Sequence, residues 1–263
     1  MPLLEQRPIV LVDKKDSVLY ITINRPEKRN ALAREVLSLI KDTFNAYSDD
    51  QSIKLAVLTG AGDKSFAAGG DLDDLFDVRT NEQTREMSDE AFQCLEAVRK
   101  FPLPVIAVLN GNALGGGSEL AIACDFRIAA AHARIGFIQG KLNITSAWGG
   151  GPDLVNLVGA RQALRLFATS KIIKPEEALA LSLFDQVAEE GQSNEQLIEA
   201  FIAPMISKTA TVLRGFKALS KAKRDGLSRE QLREVEADWL VKSWTEQPHW
   251  DAVDQFMNSR KEK

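Results

Sequence analysis

The chain contains very little cysteine and histidine. Two residues of each type occur among its 263: Cys94, Cys124, His132 and His249. Neither pair has the spacing of a metal site, such as C-x-x-C or H-E-x-x-H, so we expect no metal centre. We predict instead that both cysteines are buried free thiols in a reducing cytoplasm. The sequence also contains no G-x-S-x-G and no G-K-[ST], which argues against a serine hydrolase and a phosphate loop.

Long hydrophobic runs and an excess of positive charge are lacking as well. Lysine and arginine number 33 against 37 acidic residues, the net charge is −4, and the basic residues are scattered, so no nucleic-acid partner is expected. No apolar run reaches about 18 residues, which predicts no membrane span. The N-terminus has no basic segment followed by an apolar core, so it does not resemble a secretion signal. We therefore expect a cytoplasmic location.

The hydrophobic pattern predicts an α/β core followed by a helical region. Apolar residues make up 44% of the chain, which is typical of a soluble globular protein. In the first half, apolar runs alternate with amphipathic stretches, an order that favours a largely parallel sheet. We predict strands at 9–12, 18–24, 53–59, 104–109 and 126–130, and helices at 31–47, 82–100 and 118–124. Further helices are predicted at 152–169, 175–182, 194–207, 209–224, 228–245 and 248–260, with an extended segment at 183–188. We expect the core to occupy residues 1–190 and the helical C-terminal region residues 191–263.

Two glycine-rich loops follow buried strands of the predicted sheet. FAAGGDL (66–72) comes after the strand at 53–59, and LGGGSEL (114–120) comes after the strand at 104–109. Ligands of such sheets bind beyond the carboxyl ends of the strands, and glycine lets the backbone approach a ligand closely. Two backbone N–H groups from the two loops could form an oxyanion hole. Alternatively, each loop is only a tight turn.

Several segments together resemble the enoyl-CoA hydratase/isomerase (crotonase) superfamily. They are the two loops, NRPEKRNAL near the start, PVIAVLNGNALGGGSELAIACDFRIAA, and WGGGPDLVNLVG. The resemblance extends from about residue 10 to about residue 185. It implies an α/β fold of the ClpP/crotonase type, a spiral of ββα repeats, with a C-terminal region that assembles trimers or dimers of trimers. It also implies an acyl-CoA substrate, with coenzyme A as part of that substrate and no other cofactor.

The resemblance assigns roles to individual residues. The N–H groups of Gly70 and Gly116 would hold a thioester oxygen as an enolate develops. Glu119 would transfer protons, and burial in its apolar helix should raise its pKa. The coenzyme A moiety would lie against Lys28, Ala31, Leu32, Ala67, Ala68, Asp71 and Leu72.

One position departs from the pattern of the hydratases. Counting back from the Gly149–Gly150 pair, the second glutamate of the family falls on Gln139, whose carboxamide cannot exchange a proton. Together with Trp148, this resembles the methylmalonyl/ethylmalonyl-CoA decarboxylase branch. We therefore predict decarboxylation of a short branched malonyl-CoA, in a substrate pocket that includes Trp148 and in which Lys141 could hold the leaving carboxylate. The alternatives are a hydratase, isomerase or thioester hydrolase that uses Glu119 alone, and a degenerate protein of this fold that serves in assembly.

Overall fold

The computed structural model describes residues 7–260, which form ten strands and ten helices. Residues 1–6 and 261–263 lie outside the described residues, and with them the start of the predicted core and the end of the predicted C-terminal region. The strands are β1 (Val10–Lys15), β2 (Val18–Ile23), β3 (Leu55–Gly60), β4 (Ser65–Ala67), β5 (Val105–Leu109), β6 (Asn112–Leu114), β7 (Phe126–Ala129), β8 (Ile135–Gly136), β9 (Ile172–Ile173) and β10 (Gln186–Val187). The helices are α1 (Arg34–Ala46), α2 (Asn81–Lys100), α3 (Gly116–Ala123), α4 (Gly150–Val158), α5 (Ala160–Thr169), α6 (Pro175–Ala180), α7 (Asn194–Ile206), α8 (Ala210–Arg224), α9 (Arg229–Trp244) and α10 (Gln247–Ser259).

The main sheet has the strand order β1-β2-β3-β5-β7-β10. Only the β1–β2 pair is antiparallel, and the other neighbours run parallel, as predicted. The central strands contain an unbroken run of apolar residues rather than alternating apolar and polar residues. Both faces of these strands are therefore buried. In β3, Ala56 and Leu58 face the larger core with α1, α2 and α3, whereas Leu55 and Val57 face the cluster formed with α7.

A second, smaller sheet has the order β4-β6-β8-β9, and the sequence analysis did not predict it. Its strands have two or three residues each, too few for a period of two to show. The chain therefore repeats a strand–strand–helix unit four times: β1-β2-α1, β3-β4-α2, β5-β6-α3 and β7-β8-α4. In the last three units the first strand lies in the main sheet and the second lies in the smaller one. This confirms the ββα spiral that the resemblance implies.

The predicted helix at 152–169 is wrong, because two helices occupy this stretch. Gly159 lies between α4 and α5 with a φ of +79°, in the left-handed region that glycine adopts without a steric cost. The other predicted helices, and the five predicted strands, match the structure to within three residues at their ends. The predicted free thiols are also confirmed. Cys94 and Cys124 are buried and unpaired, and burial raises the pKa of each thiol to about 12.

The C-terminal helices pack less closely on the core than the first ones do. Lys217 of α8 is buried and forms an ion pair with Asp125, which also binds Arg224, so α8 is held against the core. By contrast, α9 and α10 contain no buried residue. The boundary at residue 190 and the role of residues 191–263 in trimer formation both stay predictions. None of the helices described between residues 7 and 260 is long and apolar enough to cross a membrane.

Two leucines on α1 test how far burial stabilises this fold. The Leu37 side chain is 4% exposed and the Leu39 side chain is 38% exposed. We expect Leu37→Ala to lower the free energy of unfolding by about 2–5 kcal/mol, because it leaves a cavity in the core. The matched change Leu39→Ala should cost less than about 1 kcal/mol. Urea denaturation of both variants measures the difference, and equal losses would contradict this packing of α1.

Candidate active site

The two glycine-rich loops lie side by side because β4 and β6 pair in parallel. Gly69 has a φ of +107° and Gly115 a φ of +55°, so each loop turns at a glycine just before the residue of interest. A Cβ atom on Gly69 would lie 3.7 Å from the Gly116 nitrogen. The structure thus brings the predicted Gly70 and Gly116 loops into contact at the carboxyl ends of their strands.

The backbone N–H groups of Gly70 and Gly116 donate no hydrogen bond to another residue between 7 and 260, so both can bind a ligand. The bridge between Leu32 and Gly70 uses the Gly69 oxygen and the Asp71 nitrogen, and it leaves out the Gly70 N–H. Gly116 is the first residue of α3, where an N–H has no acceptor within the helix. The positive end of the helix dipole adds to the potential at this point. Two fixed donors of this kind can stabilise an oxygen that gains negative charge during a reaction.

Glu119 lies in the first turn of α3 and is 2% exposed. Its Oε1 atom accepts hydrogen bonds from the Ser146 hydroxyl at 2.6 Å, from the Gly150 N–H at 3.1 Å and from the Trp148 N–H at 3.3 Å. Its Oε2 atom accepts one from the Gln139 amide at 2.9 Å. A carboxylate has about four lone-pair sites, two on each oxygen, so Oε2 can accept one more hydrogen bond.

Burial raises the pKa of Glu119, and the four hydrogen bonds oppose that shift without cancelling it. Desolvation penalises the charged form, whereas each donor stabilises it. A carboxyl group with a raised pKa can accept and return a proton near neutral pH. The expected acid–base residue therefore has the environment that this role requires.

Gln139 lies beside Glu119 and forms a direct hydrogen bond with it. It begins a 3-10 helix (Gln139–Leu142) and is 8% exposed. Its Nε2 faces the Glu119 carboxylate, because the opposite orientation would set two acceptors against each other. Its Oε1 atom is buried and has no hydrogen-bond partner among residues 7–260. Leaving a buried acceptor without a hydrogen bond costs about 1–3 kcal/mol. The Gln139 oxygen is therefore suited to accept a hydrogen bond from a ligand or a water molecule.

The other two pocket residues predicted from the sequence lie in different surroundings. Trp148 is buried, and its ring packs against the backbone of both Gly116 and Gly70. Lys141 is exposed, and no ion pair joins it to another described residue. The structure thus brings Trp148 to the site, whereas Lys141 lies exposed on the 3-10 helix and its role as a carboxylate anchor stays a prediction.

The residues predicted to contact coenzyme A lie in two segments, which backbone hydrogen bonds connect to each other. The Leu32 N–H donates to the Gly69 oxygen, and the Ala68 N–H donates to the Arg29 oxygen. Leu72 is exposed beside them. Ala31 and Ala68 are half-buried, whereas Leu32 and Ala67 face the core.

The two charged residues of this group are both paired within the protein. Burial raises the pKa of Asp71, but the hydrogen bond and charge of Arg25 at 2.7 Å outweigh this and keep the pKa below its usual value. The Lys28 ammonium binds Asp73 at 2.6 Å on the surface, and this contact raises the pKa of Lys28. Among residues 7–260, no group of three or more His, Cys, Asp or Glu side chains is arranged to hold a metal ion.

Sequence reasoning gave no role to Ser146 and named Gly150 only as part of a motif. Both donate to Glu119 Oε1, Ser146 from the loop that precedes α4 and Gly150 from the first residue of α4. The only signal for Ser146 was its place in the same loop as Trp148. The hydroxyl of Ser88 holds this loop in place by donating to the Ala147 oxygen at 3.0 Å.

Comparison with known proteins agrees with this architecture. The sequence profile of the family described as Enoyl-CoA hydratase/isomerase matches residues 13–263. A crotonyl-CoA hydratase of Syntrophomonas wolfei is 35% identical over 259 residues, which cover 96% of each chain. An ethylmalonyl-CoA decarboxylase of Xenopus laevis is 30% identical over 220 residues, covering 83% of this chain and 73% of the relative.

The fold comparison gives the same result. The crystal structure of an enoyl-CoA hydratase from Bacillus anthracis superposes with a TM-score of 0.89 at 28% identity, covering 96% of this chain and 97% of that one. The fold, the profile and the paired glycine loops agree, and the chain belongs to the enoyl-CoA hydratase/isomerase (crotonase) family.

Proposed function

We propose that this protein adds water to a short enoyl-CoA thioester, with Glu119 as its one ionisable catalytic residue. The observation that carries the proposal is the position of the Glu119 carboxylate. This carboxylate is buried and accepts a hydrogen bond from the Trp148 N–H. The indole ring of the same tryptophan packs against both Gly116 and Gly70. The similarity to a crotonyl-CoA hydratase supports the same reaction.

The two glycine N–H groups would hold the thioester oxygen. Addition of water to the β-carbon pushes electrons onto this oxygen and forms an enolate. The Gly70 and Gly116 donors are fixed by β4, β6 and α3, so they need no rearrangement when the charge develops. One such donor is worth about 3–4 kcal/mol in other enzymes.

Glu119 and Gln139 together would hold the water molecule. One water hydrogen binds the remaining lone pair of Glu119 Oε2, and the other binds the unsatisfied Gln139 Oε1. Glu119 takes the first proton as the water oxygen attacks the β-carbon. The protonated Glu119 then returns that proton to the α-carbon, which restores the carboxylate. Gln139 positions the water and exchanges no proton.

Decarboxylation of a short malonyl-CoA is the second candidate. Gln139, Trp148 and the similarity to an ethylmalonyl-CoA decarboxylase favour it, since this reaction needs the oxyanion hole but no base. The sequence pattern alone favours decarboxylation, whereas the surroundings of Glu119 and the similarity to a crotonyl-CoA hydratase support hydration. Glu119 and the Gln139 oxygen are acceptors that would repel the carboxylate of the substrate, and solvent would screen the charge of the exposed Lys141.

We also propose that coenzyme A lies along the joined segments that contain Ala31, Ala68 and Leu72, and that three or six copies of the chain assemble through its C-terminal helices. The exposed apolar side chains of α9 and α10 support assembly; they are Leu240, Val241, Trp244, Trp250, Phe256 and Met257. The intact Gly70, Gly116 and Glu119 argue against a protein that serves in assembly alone.

Mass spectrometry of the products tests the proposed reaction. Crotonyl-CoA should gain water, and Glu119→Gln should lower this rate by about 10²–10⁴-fold, because the only proton-transferring side chain is removed. A 3-enoyl-CoA and ethylmalonyl-CoA are assayed in parallel for isomerisation and for loss of carbon dioxide. Faster loss of carbon dioxide from ethylmalonyl-CoA, retained in Glu119→Gln, would refute hydration and support the second candidate.

Ser146 provides a test of Glu119 as the base. The hydroxyl of Ser146 stabilises the Glu119 carboxylate, so Ser146→Ala should raise its pKa further. A base must be ionised to act, so the acidic limb of the kcat/KM profile should move to higher pH, by about one unit. Thr145→Ala, an exposed change in the same loop, is the control and should leave the profile in place. Identical profiles for all three proteins would exclude Glu119 as the titrating group.

Substitution of Gln139 tests the role of the carboxamide. In Gln139→Glu a second carboxyl group faces Glu119, and the shared negative charge should push one pKa upward. We expect faster hydration of crotonyl-CoA, since a separate acid then protonates the α-carbon, and weaker binding of ethylmalonyl-CoA because of charge repulsion. The control Gln139→Leu keeps neither polar atom and should hydrate more slowly than the wild type. Unchanged activity in both variants would show that residue 139 takes no part.

A further inference from the structure

Trp148 occupies a space that the two oxyanion glycines leave open. A Cβ atom on Gly116 would lie 2.6 Å from the indole Cη2, well inside van der Waals contact. A Cβ atom on Gly70 would lie 3.5 Å from Cζ2 and 3.6 Å from Cη2 of the same ring. The ring therefore rests on the α-carbons of both residues, and glycine is the only residue at position 116 that leaves room for it.

We propose that Trp148 is the end wall of the acyl pocket and restricts this protein to short acyl groups. The proposal rests on the proposed function, because it needs an acyl-CoA in the oxyanion hole. A thioester oxygen bound by the Gly70 and Gly116 N–H groups places the acyl carbons next to these residues. The ring that covers both α-carbons is then the first side chain that a growing acyl chain meets.

The position of Glu119 sets where the chain must stop. A base that serves the β-carbon has to lie close to it, and Glu119 Oε1 is 3.3 Å from the backbone nitrogen of Trp148. The β-carbon therefore lies beside the tryptophan residue itself. A short acyl group therefore ends at the indole, whereas longer chains would have to displace the ring.

Several contacts oppose such a displacement. The backbone of Trp148 is held by Glu119, and the preceding Ala147 oxygen is held by Ser88. Trp148 is 7% exposed and belongs to the main hydrophobic core. Moving it into solvent would expose a large apolar surface, which disfavours an open rotamer. The wall is therefore fixed by the packing of the loop rather than being a mobile flap.

Binding of saturated acyl-CoAs tests the proposal, because these ligands cannot react. Calorimetry compares butyryl-CoA with octanoyl-CoA on the wild type, on Trp148→Ala and on Trp148→Phe. Each methylene that is buried favours binding by about fourfold, so an open pocket should prefer octanoyl-CoA strongly. We expect the wild type to bind octanoyl-CoA no more tightly than butyryl-CoA. Trp148→Ala should shift the ratio toward octanoyl-CoA by at least about tenfold, and Trp148→Phe by less.

The control is Leu164→Ala, which removes an exposed apolar side chain of α5 and should leave the ratio unchanged. If Trp148→Ala fails to fold in thermal unfolding, the ratio measured for Trp148→Phe decides. A wild type that already prefers octanoyl-CoA, or an unchanged ratio in the Trp148 variants, would overturn the proposal. Binding does not depend on turnover. If the protein fails to hydrate crotonyl-CoA but Trp148→Ala still shifts the binding ratio toward octanoyl-CoA, only the proposed reaction is refuted.

Discussion

The site depends on one buried carboxylate, which accepts hydrogen bonds from three segments of the chain. Glu119 sits in α3, and its donors come from the 3-10 helix at Gln139, from Ser146 and from the start of α4. Removing a charged group from water costs several kcal/mol unless hydrogen bonds replace the lost hydration. Four donors converge on this side chain, so the three segments are held together around the proposed acid–base residue. The local fold and the acid–base environment are consequences of the same contacts.

Small and large residues complement each other around this carboxylate. Gly150 lies so close to Glu119 that a Cβ atom there would be 2.6 Å from the glutamate Cβ. Gly116 is equally close to the Trp148 ring. Interiors are packed as densely as organic crystals, so a side chain at either glycine would force the loop outward. The glycines in this region therefore serve packing as well as backbone conformation, and the indole fills the volume that they leave.

The sequence predicts the main sheet well because its strands are long and apolar on both faces, as at residues 104–109. It misses β4, β6, β8 and β9, since strands of two or three residues are too short to show alternation. The break at Gly159 is missed because the flanking residues keep a helical pattern. The sequence singles out Gln139 by its distance from the Gly149–Gly150 pair, and the structure shows its hydrogen bond with Glu119. The contact of Ser146 with Glu119 joins residues 27 positions apart, and only the closure of the loop reveals it.

We propose two tasks for this site, stabilising an enolate and transferring a proton, and the side chain at residue 139 affects only the second. In the proposed reaction the Gly70 and Gly116 donors hold the enolate oxygen, and their positions do not depend on the side chain at 139. The way the enolate forms depends on which nearby groups exchange protons, and here Glu119 alone can do so. A carboxamide at 139 donates to Glu119 and keeps a second negative charge away from it. With a carboxyl group there, the two residues would compete for one proton, and the pKa of Glu119 would depend on its neighbour. Gln139 thus leaves Glu119 to titrate as a single group, so the proposed hydration requires this one residue to act first as base and then as acid.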